Sequence, residues 1–571
     1  MLILIEKIGD WNPQLLRELK GRLKPFPIII TIVTSLAAQL IVFLYQLREF
    51  PDLVNETNIR INYKYCKLVD LEKYRYSRFR LCPVNQIDMQ LWWRDHWEYM
   101  FLTLSVIFIF TLLVAGTYLI VNDLSQEERR GTLNFIRLSP QSESSIFTGK
   151  FLGVPVLVYL AVLIAIPFHI LTGKLANIAL SYIGFYYLIL FVSCIYFYSI
   201  ALLFSIFGGS ILGGFKPWLA SGLVLLYLIV NVAMTETSYY HSESAFFRIF
   251  SPIGITDYLF PNLFYNFKSV PVMAKLEFFS LPLGKNIITL IGLYLVNYAI
   301  WTYWAWQGLK RCFRNPNATI FSKQQSYLIV AIFEIIVVGF LLSENFISKR
   351  DFFDVIEALY VWNLLLFVGL FAILLPSRQA VQDWARFRYQ KVSHSNNYSR
   401  KSLLSDLTIG EKSPAILAIT INLLIAASAF LLIILNLEAN VFSYNYQILG
   451  CLGVLLFISS TIIYATIAQI MLMLKNSKRH LWAVGTTSAA IILPVFILSI
   501  LSAHPSRTDF FGSILWLFTS GFWYGVENSI VSIVFGVFIC QLTIAALLNW
   551  YLVKQVKSAG ESATKALFAK S

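Results

Sequence analysis

The chain has 571 residues, of which 57% are hydrophobic and only 13% are charged, and its formal net charge is +14. Soluble domains carry about 25% charged residues, and a run of about 20 apolar residues is long enough to cross a bilayer. The composition therefore excludes a soluble protein and predicts an all-α polytopic membrane protein. The basic residues lie at the ends of apolar runs and form no RNA- or DNA-binding motif, so we expect no nucleic-acid partner.

A basic amphipathic helix is predicted before the first apolar run. Asn12 suits an N-cap and Pro13 suits the first helical position. The leucines that follow share one face, whereas Arg17 and Lys20 lie around the other sides. This pattern is typical of a helix in the cytoplasmic membrane interface, with its apolar face in lipid and its cations near anionic headgroups. Membrane lipids are therefore expected partners.

About twelve membrane-spanning helices are predicted from the apolar runs. Their ranges are 27–46, 99–121, 151–172, 179–206, 217–235, 286–306, 326–343, 358–376, 413–436, 447–474, 482–503 and 527–553. The first run lacks a small-residue cleavage site, so it is expected to be retained. Lysine and arginine in the short loops predict cytoplasmic N- and C-termini by the positive-inside rule.

The segments on the predicted outer side are less regular. Loop 47–98 is polar and contains Cys66 and Cys82. A disulfide between them would close a loop of about 15 residues and contribute about 3 kcal/mol in the chain-entropy model, and two unpaired thiols are the alternative. The stretch 236–285 is predicted to form short helices at the outer interface. The aromatic residues of the stretch 509–524 are predicted to be interfacial anchors, and the alternative is that they line the exit of an amphiphilic or lipid-like cargo.

A charged, helix-prone segment follows the second predicted span. The range 123–140 reads DLSQEERRGTLNFIRLSP, which is too polar for lipid and too regular for a simple loop. Leu133 and Ile136, with Thr132 and Phe135, are predicted to form adjacent apolar rows on this segment, and its charged residues are predicted to pair with a partner protein. These charged residues are Glu127, Glu128, Arg129, Arg130 and Arg137.

A second charged segment, RQAVQDWARFR at 378–388, follows the eighth predicted span. Its apolar row is Val381, Trp384 and Phe387, and the neighbouring charges include Asp383 and Arg386. Tryptophan and arginine are frequent anchors of protein interfaces. A partner-binding helix is therefore predicted here too, with a solvated charged loop as the alternative for both segments.

The first segment resembles the cytoplasmic coupling segment of permeases of the ATP-binding-cassette (ABC) type-2 exporter family. The matching residues are Glu128, Arg129, Gly131, Thr132, Ser139, Pro140, Gly149 and Lys150, and Asn134 stands where the family usually has an acid. The resemblance implies an exporter permease subunit in the inner (plasma) membrane. An amphiphilic or lipid-linked cargo is expected if the aromatic residues of the outer stretches line its exit. It also implies two separately encoded ATPase subunits that carry ATP and Mg²⁺, and a connecting role for the N-terminal helix.

An internal duplication is predicted from the order of several weak sequence echoes. Asn12-Pro13 precedes the first span and Asn315-Pro316 precedes the seventh, and a charged segment follows both the second and the eighth span. Six spans on each side of a basic loop give two units of the same orientation. We therefore predict two parallel six-helix repeats, 1–320 and 321–571, related by an axis along the membrane normal.

No catalytic constellation is visible in the sequence. The P-loop pattern is missing and the six histidines are scattered, so we expect neither enzymatic activity nor a directly bound cofactor or metal. Glu334 is the acid closest to the middle of a predicted span, which makes it a candidate for the translocation path or a buried structural group. An ion-coupled secondary transporter and a membrane enzyme or assembly factor remain alternatives.

Overall fold

The computed structural model confirms an all-α polytopic membrane protein, with twelve helices of membrane-spanning length among the residues that it describes. These residues are 2–48, 52–55, 58–62, 65–66, 79–83, 87–212, 216–236, 242–260, 272–315, 318–342, 349–392, 399–435, 444–476, 478–503 and 510–560. We number the long helices as spans 1 to 12. They are Pro25–Leu47, Met89–Arg129, Val156–Leu175, Leu180–Leu212, Pro217–Glu236, Ile287–Arg314, Lys323–Leu341, Lys349–Leu374, Ile416–Leu435, Tyr444–Leu472, Arg479–Ile500 and Val531–Gly560.

Shorter elements lie at the two ends of the bundle. We call the end that carries the N-terminal helix Pro13–Arg22 the terminal face, and the other end the opposite face. On the terminal face the other short helices are Leu2–Trp11, Thr132–Arg137, Glu143–Gly153, Arg378–Val392 and Ser399–Thr408. On the opposite face they are Ser242–Arg248, Pro252–Leu259, Phe510–Leu517 and Phe522–Asn528, with 3₁₀ turns at Val272–Lys275 and Leu283–Lys285.

The loop after span 1 contains a small sheet that the sequence analysis did not predict. Its strands are Asp52–Asn55, Asn58–Asn62 and Phe79–Pro83, and they pair antiparallel in chain order. Cys66 is disulfide-bonded, whereas Cys194, Cys312, Cys451 and Cys540 are free. The predicted partner Cys82 lies opposite Ile59 in the sheet, but its side chain lies outside the described residues.

Span 2 is interrupted by one π-helical turn, Thr111–Ala115. Such a turn leaves backbone carbonyls without their usual helical partner. The Tyr198 hydroxyl of span 4 donates a hydrogen bond to the Leu112 carbonyl at 2.7 Å. A Cβ at Gly116 would lie 2.0 Å from that hydroxyl, so the glycine makes the close approach possible. The bulge and the glycine together lock span 2 against span 4.

The two halves of the chain share a packing order. In each half the first span packs against the third, and the fourth packs against the sixth. The halves also contact each other on the opposite face, where the Phe246 ring packs edge-on against Phe333 of span 7 and Trp362 of span 8. The predicted units 1–320 and 321–571 are compatible with this order, and their rotational relation stays a prediction.

Candidate functional site

Two glycines bring the N-terminal helix Pro13–Arg22 into close contact with helix Glu143–Gly153. Gly149 and Gly153 are four residues apart, so they lie on one helix face. A Cβ at Gly149 would lie 2.8 Å from the Leu15 backbone nitrogen, and one at Gly153 would lie 2.5 Å from the Glu18 Cβ. Only glycine permits this spacing, which leaves the two helix backbones almost in contact.

Asn12 fixes the N-terminal helix in register with its neighbour. Its Oδ1 accepts a hydrogen bond from the Leu15 amide at 3.0 Å, and its Nδ2 donates to the Ser145 carbonyl at 2.7 Å. Pro13 occupies the first turn. The structure therefore has the N-cap and the first-turn proline that the sequence predicts, and the cap also binds the neighbouring helix.

Six charged side chains, which we call the charge cluster, meet beneath this helix contact. They are Arg17, Glu18, Arg22, Asp123, Glu127 and Lys150. The Lys150 Nζ lies 2.6 Å from Asp123 Oδ2, 2.7 Å from Glu127 Oε2 and 3.6 Å from Glu18 Oε1. The cluster connects the N-terminal helix, the end of span 2 and helix Glu143–Gly153.

Two arginines of the N-terminal helix complete the charge cluster. Arg22 Nη2 lies 2.6 Å from Asp123 Oδ1 and 3.3 Å from Glu18 Oε2, and Arg17 pairs with Glu127. Three carboxylates thus face three cations, so the formal charge sums to zero. The Arg17 side chain is about half exposed while its guanidinium binds a carboxylate of span 2, so its predicted contact with lipid headgroups stays a prediction. Lys20 is exposed on the same helix and remains available to headgroups.

Lys150 stays charged although only 1% of its surface is exposed. Burial lowers the pKa of the ammonium, but Asp123, Glu127 and Glu18 outweigh it and hold the pKa above its ordinary value. The oxygens of these three acids lie close enough together to ligate a metal ion. The Lys150 ammonium already pairs with all three, so the arrangement fits an internal ion-pair network better than a metal site.

The first charged segment, at 123–140, bends sharply at Gly131, whose φ of +73° lies in the left-handed region that favours glycine. Beyond it, Leu133 and Ile136 are 3% and 5% exposed. Phe135 and Leu138 are instead 79% and 86% exposed. The predicted apolar row of Leu133 and Ile136 is therefore wrong as a partner-binding surface, because these side chains pack inside the chain.

The charges of the segment divide in the same way. Glu127 belongs to the buried charge cluster, so its predicted pairing with a partner protein is wrong. Glu128, Arg129 and Arg130 are exposed. Arg137 is half-buried; its Nη1 donates to Asn134 Oδ1 at 3.0 Å, and its guanidinium lies 5.9 Å from the centre of the Phe313 ring. Burial lowers the pKa of Arg137, and the nearby Glu128 carboxylate opposes this shift.

The second charged segment lies along span 12 instead of projecting from the bundle. Val381 is fully buried against Ile470, Met473 and Leu552. Its predicted role in binding a partner is therefore wrong. Trp384 is half-buried, with the Arg388 guanidinium 6.0 Å from its ring centre. Of the predicted partner-binding residues in this segment, Asp383, Arg386 and Phe387 are exposed. The two segments therefore differ in how they present themselves to a partner.

Two arginines at the end of span 6 connect the terminal-face segments of the two halves. Arg314 Nε lies 2.6 Å from Glu143 Oε1 of helix Glu143–Gly153. Arg311 Nη2 lies 2.5 Å from Glu411 Oε2, in the turn that precedes span 9. Since the arginines are three residues apart on one helix, both ion pairs hold the same helix end.

The acid Asp257 on the opposite face is buried without a hydrogen-bond donor. It lies in helix Pro252–Leu259, is 1% exposed, and neither carboxylate oxygen has a partner among the described residues. Burial raises the pKa of Asp257 to about 7, an effect that the nearby Arg248 cation opposes. Between about pH 4 and pH 7, Asp257 therefore keeps its proton in the folded protein and loses it in the unfolded chain.

This pKa predicts how stability depends on pH. A carboxyl group whose folded-state pKa is raised from 3.8 to about 7 loses stability as pH rises through this window, because only the unfolded state releases the proton early. We expect Asp257→Asn to reduce the fall in melting temperature between about pH 4 and pH 7, measured by thermal unfolding in detergent. Asp383→Asn, at an exposed acid, serves as the control. A variant profile parallel to that of the wild type would contradict the prediction.

Local sequence patterns predict parts of this site but not its centre. Glu18, Asp123 and Arg22 were not predicted as functional residues, and Lys150 was noted only as part of the family resemblance. The available signal was the Gly-x-x-x-Gly spacing at 149–153 together with a lysine between the glycines. Comparison with protein-family models, curated proteins and solved structures finds no match to this chain.

Proposed function

We propose that the chain is the transmembrane permease subunit of an ATP-driven exporter of the ABC type-2 kind. The observation that supports this most strongly is the coupling segment, which presents Phe135 and Leu138 to solvent while its base is held by the charge cluster. Phe135 and Leu138 are three residues apart on this short helix and its C-cap, and contiguous exposed apolar side chains mark interaction sites. A partner ATPase would supply ATP hydrolysis and Mg²⁺, and this chain would supply the membrane path.

The proposed mechanism is mechanical. Force that an ATPase applies at Phe135 and Leu138 passes through a one-turn helix into the charge cluster. Ion pairs that are buried in a packed site resist separation because each unpaired charge would be strongly destabilising. The N-terminal helix therefore moves together with the segment, and it leads directly into span 1 at Pro25. In this proposal the terminal face is cytoplasmic and the permease lies in the plasma (inner) membrane.

The second half provides a non-equivalent partner surface. Its charged helix exposes Asp383, Arg386 and Phe387 but packs along span 12. We therefore propose that two ATPase subunits bind one chain at unlike positions, with span 6 connecting them through Arg311 and Arg314. The exported cargo is proposed to be amphiphilic or lipid-linked.

Ion-coupled secondary transport is the second candidate, and the buried acids Asp257 and Glu334 favour it. Buried ionisable groups in membrane proteins often mark ion or proton pathways. This mechanism requires no ATPase and no exposed apolar tip on the terminal face. Recovery of an ATPase with the purified permease separates ATP-driven export from ion-coupled transport.

The double variant Phe135→Ser/Leu138→Ser tests the proposed function. Loss of two exposed anchors should weaken ATPase association at least tenfold, which corresponds to about 1.4 kcal/mol. The readout is the amount of ATPase that co-purifies with the tagged permease, together with ATP turnover of the complex. Both side chains are solvent-exposed, so the melting temperature of the permease alone should not change.

Asn134→Ser is the matched control, because it alters an exposed polar neighbour on the same short helix. It should retain wild-type association. Unchanged ATPase recovery with the double variant would contradict a coupling role for the segment. Purification of an active transporter without any ATPase would instead support ion-coupled transport.

A further inference from the structure

Spans 7 and 8 meet at a buried pair of polar side chains, Glu334 and Asn363. Their exposed fractions are 4% and 0%. The Asn363 Nδ2 donates to Glu334 Oε2 at 3.3 Å and to the Leu359 carbonyl at 3.2 Å. The other two oxygens of the pair, Glu334 Oε1 and Asn363 Oδ1, are buried without any hydrogen-bond partner among the described residues.

An ionised Glu334 would have no cation beside it. Among the described residues, no lysine, arginine or histidine forms an ion pair with it. On the neighbouring helix Ser242–Arg248, Arg248 donates to the Met234 carbonyl, and Lys323 at the start of span 7 donates to the Leu407 carbonyl. Span 9 carries no charged residue, and the basic residues of span 6 lie at its C-terminal end, on the terminal face. A buried carboxylate without a counter-ion costs several kcal/mol.

Two further acids on span 8 lie on another face of that helix. Asp354 and Glu357 line a cleft together with Val361 and Trp362. On a helix with 3.6 residues per turn, Asn363 points away from the side of Asp354 and Val361. These acids therefore supply no donor to Glu334, and their negative charge would further disfavour its ionised form.

One proton on Glu334 Oε1 would satisfy both unpartnered oxygens at once. A protonated carboxyl group has one O–H donor, whereas an asparagine carbonyl is an acceptor. The amide already donates to Oε2, so an O–H bond from Oε1 to Oδ1 would close a ring of two hydrogen bonds between the two planar groups. We propose that Glu334 is a proton-binding site. When protonated, it forms a neutral carboxylic acid–amide pair with Asn363 that joins spans 7 and 8 where they pack together.

Infrared difference spectroscopy of the purified, detergent-solubilised protein tests this proposal. The wild type minus Glu334→Gln spectrum should contain the C=O band of one protonated carboxyl group, and this band should move to lower wavenumber in D₂O. Asn363→Leu removes the carbonyl that accepts the hydrogen bond from the Glu334 O–H group, so the C=O band of the protonated carboxyl group should shift. Glu411→Gln, at a half-exposed, ion-paired glutamate, should leave the band unchanged. A carboxylate band in the first difference spectrum at pH 7, instead of the protonated band, would overturn the proposal.

Thermal unfolding supplies a second readout that does not require transport or an ATPase. The glutamine side chain of the Glu334→Gln variant would keep both hydrogen bonds to Asn363, because an amide offers the same donor and acceptor as a protonated acid. The unfolded chain releases the proton above about pH 4.3, so the wild type should lose stability relative to Glu334→Gln as pH rises. A constant difference in melting temperature between about pH 5 and pH 8 would contradict proton binding, whatever the outcome of the ATPase experiment.

Discussion

Lys150→Met should strongly destabilise the protein, by about 3–5 kcal/mol, because it removes one partner of a buried ion-pair network. Three carboxylates would remain, with only Arg17 and Arg22 to balance them. Methionine fills a similar volume, so the loss would reflect uncompensated charge and not a cavity. The measurement is the unfolding free energy in detergent, accompanied by the yield of folded, monodisperse protein.

Two further variants identify the cause of this loss. Lys20→Met, on the exposed side of the N-terminal helix, should have little effect on stability, because surface substitutions usually change it by less than about 0.5 kcal/mol. Adding Glu127→Gln to Lys150→Met should recover part of the stability, since the double variant again has equal numbers of acids and bases. If Lys150→Met alone is as stable as the wild type, the charge cluster does not hold the three elements together.

Gly149→Ala is expected to have the second-largest effect, although it adds only a methyl group. The new Cβ would lie 2.8 Å from the Leu15 backbone nitrogen and 2.9 Å from Asn12 Oδ1. The backbone nitrogen cannot move without separating the helices, and the Asn12 side chain cannot move without breaking its cap. Overpacking of this kind costs about 1–3 kcal/mol, and loss of the Asn12 cap would add about 0.5–2 kcal/mol. The expected result is a lower melting temperature and faster proteolysis of the N-terminal helix.

Gly21→Ala is the matched control for this substitution. Gly21 lies on the N-terminal helix, and a Cβ there would meet nothing within 4 Å. Alanine favours a helix over glycine by up to about 1 kcal/mol, so this variant should be neutral or slightly more stable. Equal stability of Gly149→Ala and Gly21→Ala would show that the helices do not depend on close contact. If the coupling proposal holds, Gly149→Ala should also lower ATP turnover of the complex.

The sequence alone determined the fold class and the positions of the spans. Span 5 was predicted at 217–235 and is observed at Pro217–Glu236, because a long apolar run has few alternatives in a bilayer. Differences arise where a helix continues beyond lipid or stops for a local reason. Span 2 begins at Met89 instead of 99, and span 12 begins at Val531 because Phe522–Asn528 forms a separate helix.

Local patterns also predicted the Asn12 cap, since capping depends on residues adjacent in sequence. They could not show which face of the first charged segment, at 123–140, points outward. Leu133 and Phe135 are both apolar and two residues apart, and only packing against the bundle decides that the first is buried and the second exposed. The same limit applies to Glu127, whose partner Lys150 lies 23 residues further along the chain.

Only the tertiary structure brought Arg17, Asp123 and Lys150 together, because electrostatic pairing depends on distance in space and the three belong to separate helices. The pairing of Glu334 with Asn363 was decided in the same way. The sequence indicated that an acid lies within a span, since its hydrophobic surroundings are local. The packing of span 7 against span 8 decides that Glu334 Oε2 pairs with Asn363 and that Glu334 Oε1 has no hydrogen-bond partner among the described residues. The proposed proton on Glu334 follows from this packing.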